Sequence, residues 1–190
     1  FTNATGLPDP QLYSTAADMA KLAAALIRDH PEYYPLYSLK EYTYNKIKQP
    51  NRNRLLWSDP TVDGMKTGHT KNAGYCLVSS SKRGERRLIS VVLGTDSSSA
   101  RAAESQKLLN FGFQFYDTVR LYQKGQQVAN LRVWKGATDT LNAGFDRDLY
   151  FTLPKGQAEK LKATLESQQP LVAPVTAGQG VGTERLKLHG

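Results

Sequence analysis

The chemistry in this sequence is concentrated in one stretch, VDGMKTGHT, running from Val62 to Thr70. An ammonium (Lys66), a hydroxyl (Thr67), a bare backbone (Gly68) and an imidazole (His69) stand in a row there, just after the turn-forming pair Asp63-Gly64. A lysine beside a hydroxyl can charge-pair and hydrogen-bond a carboxylate, and a glycine lets a ligand's own backbone approach closely. The triplet is short enough to arise by chance, and on spacing alone a surface β-turn is the better account of it. Its place just before two β-forming apolar segments is what gives it weight.

Arg101 is the second candidate. It falls in the first turn of an expected helix, where the macrodipole disfavours a cation by a few tenths to about 1 kcal/mol. If the strand ending at Gly94 carries that helix start beside the Lys66 turn, then Arg101, Lys66 and the helix N-terminus make an anion site; otherwise Arg101 is a solvated surface residue. Arg52, in the polar loop Asn51-Arg52-Asn53, is placed either to pair with Asp18 as a brace or to lie in solvent. Cys76 alternates with Tyr75 and Leu77 and reads as a packed or half-exposed thiol, no histidine being placed to activate it. Ser79 and Lys82 have the S-x-x-K spacing of a serine nucleophile with its lysine base. That pairing is rejected, because on a strand a separation of three sends the two side chains to opposite faces. No G-x-S-x-G elbow, H-E-x-x-H pair, phosphate loop or dinucleotide fingerprint is present.

The elements that must position these residues are legible in outline. FTNATGLPDPQ reads as a loop. Ser14 to His30 reads as a helix, with Thr15 and Asp18 in capping-box spacing and Met19, Leu22, Ala23, Leu26 and Ile27 on one face, closed by Pro31. YYPLYSLKEYTYNKI suggests two short strands around a loop. GYCLVSSS and RRLISVVLGT flank KRGE as a hairpin of covered strands, and a helix follows from about Ser99 to Phe115, with Ser97, Ser98 and Ser99 as possible caps. Beyond Asp117 come short strands with turns at Lys124-Gly125, Lys135-Gly136 and Ala143-Gly144, then DLYFTLP and a Pro/Gly/Val-rich end that stops at Gly190 in what reads as another strand. Both ends look cut.

The 190 residues, 39% hydrophobic and 22% charged, are ordinary for a soluble globular chain with a real core. No run approaches the roughly 18 apolar residues of a membrane span, and no leader pattern opens the chain. One cysteine excludes an internal disulfide, and three histidines (His30, His69, His189) make a histidine metal site a poor reading. The net charge of +8 invites nucleic acid. The lysines and arginines are spread along the chain, however, and the one tight cluster, SKRGERRL, reads as a hairpin tip, so an acidic polymer or an anionic surface suits the charge better.

With these residues in view, the chain resembles the low-molecular-mass penicillin-binding proteins, the D-alanyl-D-alanine carboxypeptidases of the penicillin-binding protein five and six type. The resemblance runs through STAADMAKLAAALI, YPLYSLK, QPNRNRLLW, VDGMKTGHT, RRLISVVLGTDSSSAR, VWKG and VGTERL, nearly the whole chain. Of the family's three motifs, S-x-x-K, S-x-N and K-T-G, the third alone matches in place. The implied fold class is α+β: part of a penicillin-recognising serine transpeptidase/β-lactamase-like domain over residues 1–116, then a small, incomplete, mostly β domain over 117–190. The nucleophile, its base and the S-x-N residues would precede Phe1, leaving apolar surface for that missing part to cover.

By the same resemblance Lys66 and Thr67 line the cleft and bind the terminal carboxylate of the donor peptide, and Gly68 lets that peptide lie along the strand. The His69 backbone N–H joins the oxyanion hole, a contribution of about 3 kcal/mol per donor. Arg101 stands near the carboxylate pocket, and Arg52 and Asp18 brace the adjoining loop. The implied partners are a peptidoglycan stem peptide ending in D-Ala-D-Ala, β-lactams and the missing N-terminal part. The implied setting is the bacterial periplasm, with a C-terminal helix on the inner-membrane surface. No cofactor is implied. A β-lactamase, a peptidoglycan endopeptidase and a non-catalytic cell-wall-binding module are the alternatives.

Overall fold

The computed structural model describes residues 2–188, which fall into two compact units dividing between Gln114 and Phe115. In the first unit, α1 (Ala16–Asp29) begins as its sequence directs: the Thr15 hydroxyl accepts the Asp18 N–H at 3.1 Å and donates to the Asp18 carboxylate at 2.9 Å. Ala23 is buried, with Met19, Leu26 and Ile27 packed around it. Leu22, expected on the same face, is 48% exposed instead.

The segment after α1 departs from its expected form. Pro35 opens a 3-10 turn, Tyr34–Ser38, with Tyr34 buried under it, before β1 (Glu41–Tyr44) and β2 (Ile47–Pro50) form a hairpin. Asn45 and Lys46 close the hairpin, both at positive φ, as a two-residue turn between right-twisted strands requires. A single helical turn, α2 (Leu55–Ser58), leads into β3 (Val62–Thr70). Asp63-Gly64 is therefore no turn; it lies inside the strand, at a register shift between Val62 and Gly64. Local turn propensity was overridden by pairing with the next strand.

β4 (Gly74–Arg83) and β5 (Arg86–Thr95) pair antiparallel, and α3 (Ser98–Phe115) follows. The expected four-residue tip KRGE is tighter than that: Lys82 and Arg83 pair with Arg87 and Arg86, leaving Gly84 and Glu85 to turn. The sheet order is β3-β4-β5. Helices cover both faces. On one, α1 packs on Val78, Ile89 and Val91; on the other, Leu109 and Ala102 of α3 meet Leu77, Leu88 and Val62, joined by Leu55 and Leu56 of α2. Each fully buried aliphatic side chain contributes about 1.5–3 kcal/mol.

The buried stripe of α3 is Arg101, Ser105, Leu109 and Phe113, a strict repeat of four that faces the sheet. A Cβ at Gly112 would stand 2.7 Å from a Leu88 methyl, so glycine lets the helix approach β5 closely. Ser97 caps the helix, its hydroxyl accepting the Ala100 N–H at 3.0 Å. Large apolar side chains remain exposed in this unit, among them Leu36, Tyr42, Tyr44, Trp57 and Phe111.

The second unit is β-rich. β6 (Tyr116–Tyr122), β7 (Gln127–Trp134), β8 (Thr140–Gly144), β9 (Leu149–Pro154), β10 (Leu161–Ser167), β11 (Leu171–Val172) and β12 (Gly182–Leu188) form three small sheets, β6-β9, β11-β7-β8 and β10-β12. Leu131, Leu153 and Leu171 are its buried side chains. Lys124-Gly125 and Lys135-Gly136 turn as expected, whereas Ala143-Gly144 ends β8 rather than making a turn. The strand expected to run through Gly190 reaches past the described residues. No helix among the described residues is long and apolar enough to cross a membrane.

Candidate functional site

β3 lays out the K-T-G residues by its register: Lys66 opposite Val78, Thr67 opposite Leu77, Gly68 opposite Cys76 and His69 opposite Tyr75. Period-two alternation puts Thr67 and His69 on the face that α3 covers, and Lys66 and Gly68 on the other. β3 has no further strand beside it among the described residues, so alternate backbone N–H and C=O groups along it point outward.

At the end of this strand lies a cleft of about 480 Å³. Thr67, Gly68 and His69 form one wall with Tyr75, and the loop Pro50, Asn51, Arg52 and Arg54 forms another. The His69 and Tyr75 rings lie 3.9 Å apart, centroid to centroid, at an interplanar angle of 33°. Ser98, at the start of α3, and Arg101 complete the lining.

Arg101 is 4% exposed. Its guanidinium donates to the Gly68 carbonyl at 3.0 Å and the Cys76 carbonyl at 3.4 Å, and lies over the Tyr75 ring at 5.5 Å. Burial pulls its pKa below the usual arginine value, and the like charges of Arg52 and Arg54 add to the effect. Three cations thus converge on a cleft that no Asp or Glu of the described residues lines. An anion entering it would relieve that repulsion and complete the hydrogen bonding of Arg101.

The other expected residues divide. Lys66 lies beside the cleft rather than in its lining, its exposed ammonium donating to the Thr67 carbonyl at 2.7 Å. Arg101, Arg52 and Arg54 are thus the cations that line the cleft, with Lys66 beside it. Asp18 does not brace Arg52; it is engaged at the start of α1 with Thr15 and pairs with Lys21 at 3.6 Å. Ser79 is fully buried, its hydroxyl 2.8 Å from that of Ser90, while Lys82 is exposed on the other face. The internal S-x-x-K is thus core packing. Cys76 is half-buried, donating to the Ala73 carbonyl and accepting the Gly94 N–H.

Several residues escaped the sequence reading. Asn53, fully buried, donates to the Gly64 carbonyl at 3.0 Å and accepts the Leu55 N–H, tying the arginine loop to β3. Asn51 holds the same loop through the Leu39 carbonyl and the Asn53 N–H. On the α1 face, Arg87 grips Asp63 through two hydrogen bonds of 2.7 Å, and Tyr34 donates to the same carboxylate at 2.8 Å. Burial raises the Tyr34 pKa well above the ordinary tyrosine value. An Asn-x-Asn spacing and an arginine opening an apolar strand were the signals available; neither names its partner.

Two family models match the chain. One described as D-alanyl-D-alanine carboxypeptidase covers residues 1–97, and one described as the penicillin-binding protein 5 C-terminal domain covers residues 116–190. The chain belongs to the D-alanyl-D-alanine carboxypeptidase family. It is 48% identical over 192 residues to the carboxypeptidase DacC of Escherichia coli, covering 100% of this chain and 48% of that protein. To DacA of Haemophilus influenzae it is 45% identical over 193 residues, covering 100% of this chain and 49% of that protein. The chain thus spans about half the length of the curated relatives it matches.

Among solved structures, penicillin binding protein 5 from Haemophilus influenzae superposes with a TM-score of 0.93 at 45% identity, over 100% of this chain and 56% of that one. A penicillin-binding protein from Listeria monocytogenes in its ampicillin-bound form matches with a TM-score of 0.56 at 37% identity, over 60% of this chain and 48% of that one. The chain is accordingly α+β, a penicillin-binding-protein-like sheet-and-helix unit followed by a β domain of the same family's C-terminal type.

Proposed function

We propose that this chain forms the K-T-G side of the active site in a serine D-Ala-D-Ala carboxypeptidase, a periplasmic bacterial enzyme held peripherally at the inner membrane and acylated by β-lactams. The observation that carries the reading is the buried Arg101 at the end of β3, tied to the Gly68 carbonyl in a cleft lined by cations and no carboxylates. Arg101, with Arg52 and Arg54 nearby, holds the terminal carboxylate of the peptide, and the Thr67 hydroxyl adds a hydrogen bond. The peptide runs antiparallel along the open edge of β3, the recognition mode of an added strand. Lys66 contributes positive potential beside the reacting carbonyl, and the His69 amide contributes to its oxyanion hole.

The nucleophile belongs to the part of the protein outside these residues. Its serine oxygen attacks the penultimate D-alanine carbonyl while the hydroxyl proton passes to a base. The C–N bond then breaks, D-alanine leaves with a proton returned to its amine, and an ester remains. Water attacks that ester, giving the shortened peptide's carboxylate and the free serine. The buried Ser79–Ser90 pair supports this division of labour, since Ser79 and Lys82, the S-x-x-K spacing within the described residues, are not disposed for attack. The reading also takes residues 1–116 as catalytic and 117–190 as the start of a platform domain.

Fluorescent penicillin, followed by intact mass, tests the proposal on this chain and on the full-length protein. The expected result is one adduct on the full-length protein, at a serine outside residues 1–190, and none on the chain alone. An adduct on Ser79, or no adduct on either, would refute it.

A further inference from the structure

Pairing that starts with Val62 opposite Ser81 would, if regular, continue with Lys66 opposite Leu77 and Thr67 opposite Cys76. One extra residue, Asp63, is inserted in β3 instead, and from Gly64 opposite Ser80 onward Lys66 meets Val78 and Thr67 meets Leu77. Because side chains alternate with a period of two, this single insertion reverses the face that each K-T-G residue takes.

The inserted residue is held from several elements. Both carboxylate oxygens of Asp63 accept from Arg87 of β5 at 2.7 Å, and one also accepts from Tyr34 at 2.8 Å. Arg87 donates in turn to the Ser80 hydroxyl at 2.6 Å, and Ser80 is the cross-strand partner of Gly64. Gly64 has no room to move toward that face: a Cβ there would lie 2.7 Å from the Tyr34 hydroxyl. From the arginine loop, Asn53 holds the Gly64 carbonyl. A solvated ion pair would add little. This one is bidentate, only 25% and 32% exposed at its two side chains, and shared with a phenol, so it constrains geometry as well as charge.

We propose that Asp63, gripped by Arg87 and Tyr34, is a positioning residue that sets the strand phase in which Lys66 and Thr67 meet the substrate. The inference rests on the carboxypeptidase reading of the cleft. Asp63 touches no reacting atom; it acts through the register of β3. A second ion pair of this unit, Arg83–Asp59, lies on the α3 face and shares no hydrogen bond with Asp63, Arg87 or Tyr34, so it serves as the internal comparison.

In the full-length protein, Asp63→Ala is expected to slow acylation by fluorescent penicillin by at least about a hundredfold, because a slip that turns Lys66 and Thr67 to the opposite faces exceeds the misplacement of about 1 Å that already costs that much. In the same variant the cross-strand NOEs between Lys66 and Val78 give way to contacts between Lys66 and Leu77. Asp59→Asn, compared at a temperature where both variants are folded, loses stability but keeps the acylation rate and the register. Asp63→Asn keeps the shape of the side chain and covers the case in which the alanine variant does not fold; it is expected to show a smaller loss of the same kind. A folded Asp63 variant with an unchanged rate, or with slowed acylation and unchanged cross-strand contacts, overturns the inference. A parent protein that takes up no penicillin refutes the carboxypeptidase reading, and the NOEs still decide the register.

Discussion

Arg101 sits where helix electrostatics disfavours a cation, and its contacts explain how it is kept there. It is the first member of the buried stripe that continues through Ser105, Leu109 and Phe113, so the packing of α3 carries its guanidinium to the end of β3. Two backbone carbonyls and the Tyr75 ring then offset part of the desolvation. Only part of its donor capacity is used in those bonds, which leaves the fork able to take a carboxylate. On the carboxypeptidase reading, Arg101→Lys should lower the acylation rate of the full-length protein by about tenfold to a hundredfold for a penicillin with its free carboxylate, the range for a lost charge-assisted hydrogen bond. The methyl ester of the same penicillin should react with both proteins at comparable rates. Equal losses for acid and ester would make Arg101 a purely structural residue.

At the scale of elements, the joint between α2, β4 and α3 has its own pH dependence. Asp59 is 8% exposed; burial alone would raise its pKa, but hydrogen bonds from Thr61 and Gln106 and the charge of Arg83 bring it below the usual carboxylate value. A depressed folded-state pKa means that its stabilisation is present above the unfolded value of about 3.9 and is lost as pH falls through the folded value. Acid unfolding of the parent should therefore steepen below about pH 4, and Asp59→Asn should flatten that limb while lowering stability at neutral pH. An acid limb identical in parent and variant, followed by circular dichroism, would assign the acid sensitivity to other carboxylates. These elements were largely legible in the sequence: α1 from its cap and apolar face, β4 and β5 from their runs of β-forming residues around a short tip, α3 from its serines. β3 was not, because Asp63-Gly64 carries the local preferences of a turn and only pairing with β4, stabilised by Arg87 and Tyr34, makes it a bulge. Charge pairs such as Arg87–Asp63, 24 residues apart, leave no periodic trace.

For the molecule as a whole, each of the two compact units holds a shifted group of its own, Asp59 in the first and Tyr122 in the second. Within the second, the Tyr122 hydroxyl donates to Glu184 at 2.5 Å, joining β6 to β12, and this hydrogen bond, with burial and the carboxylate's charge, pushes the phenol up to about 12. A raised folded-state pKa gives stability that is full below the unfolded value of about 10 and lost as pH rises through about 12. One tyrosinate should thus appear late in an ultraviolet alkaline titration, and Tyr122→Phe should remove it along with the alkaline loosening of this unit. A titration in which all tyrosines ionise together would exclude that role. Two of the three expected turns of the β-rich unit, Lys124-Gly125 and Lys135-Gly136, were readable, but which of its short strands pair was not, since β11 joins β7 in parallel across 36 intervening residues (171 less 134, less one). The absence of any acidic side chain from the arginine-lined cleft also has a kinetic side. A chain of net charge +8 whose concave site is cationic draws anions in over about a Debye length, roughly 10 Å at 0.1 M salt. On the carboxypeptidase reading, encounter with a carboxylate-bearing peptide is therefore expected to be fastest in dilute salt and to slow as ionic strength rises, so the salt around the molecule sets how often substrate arrives before any bond is broken.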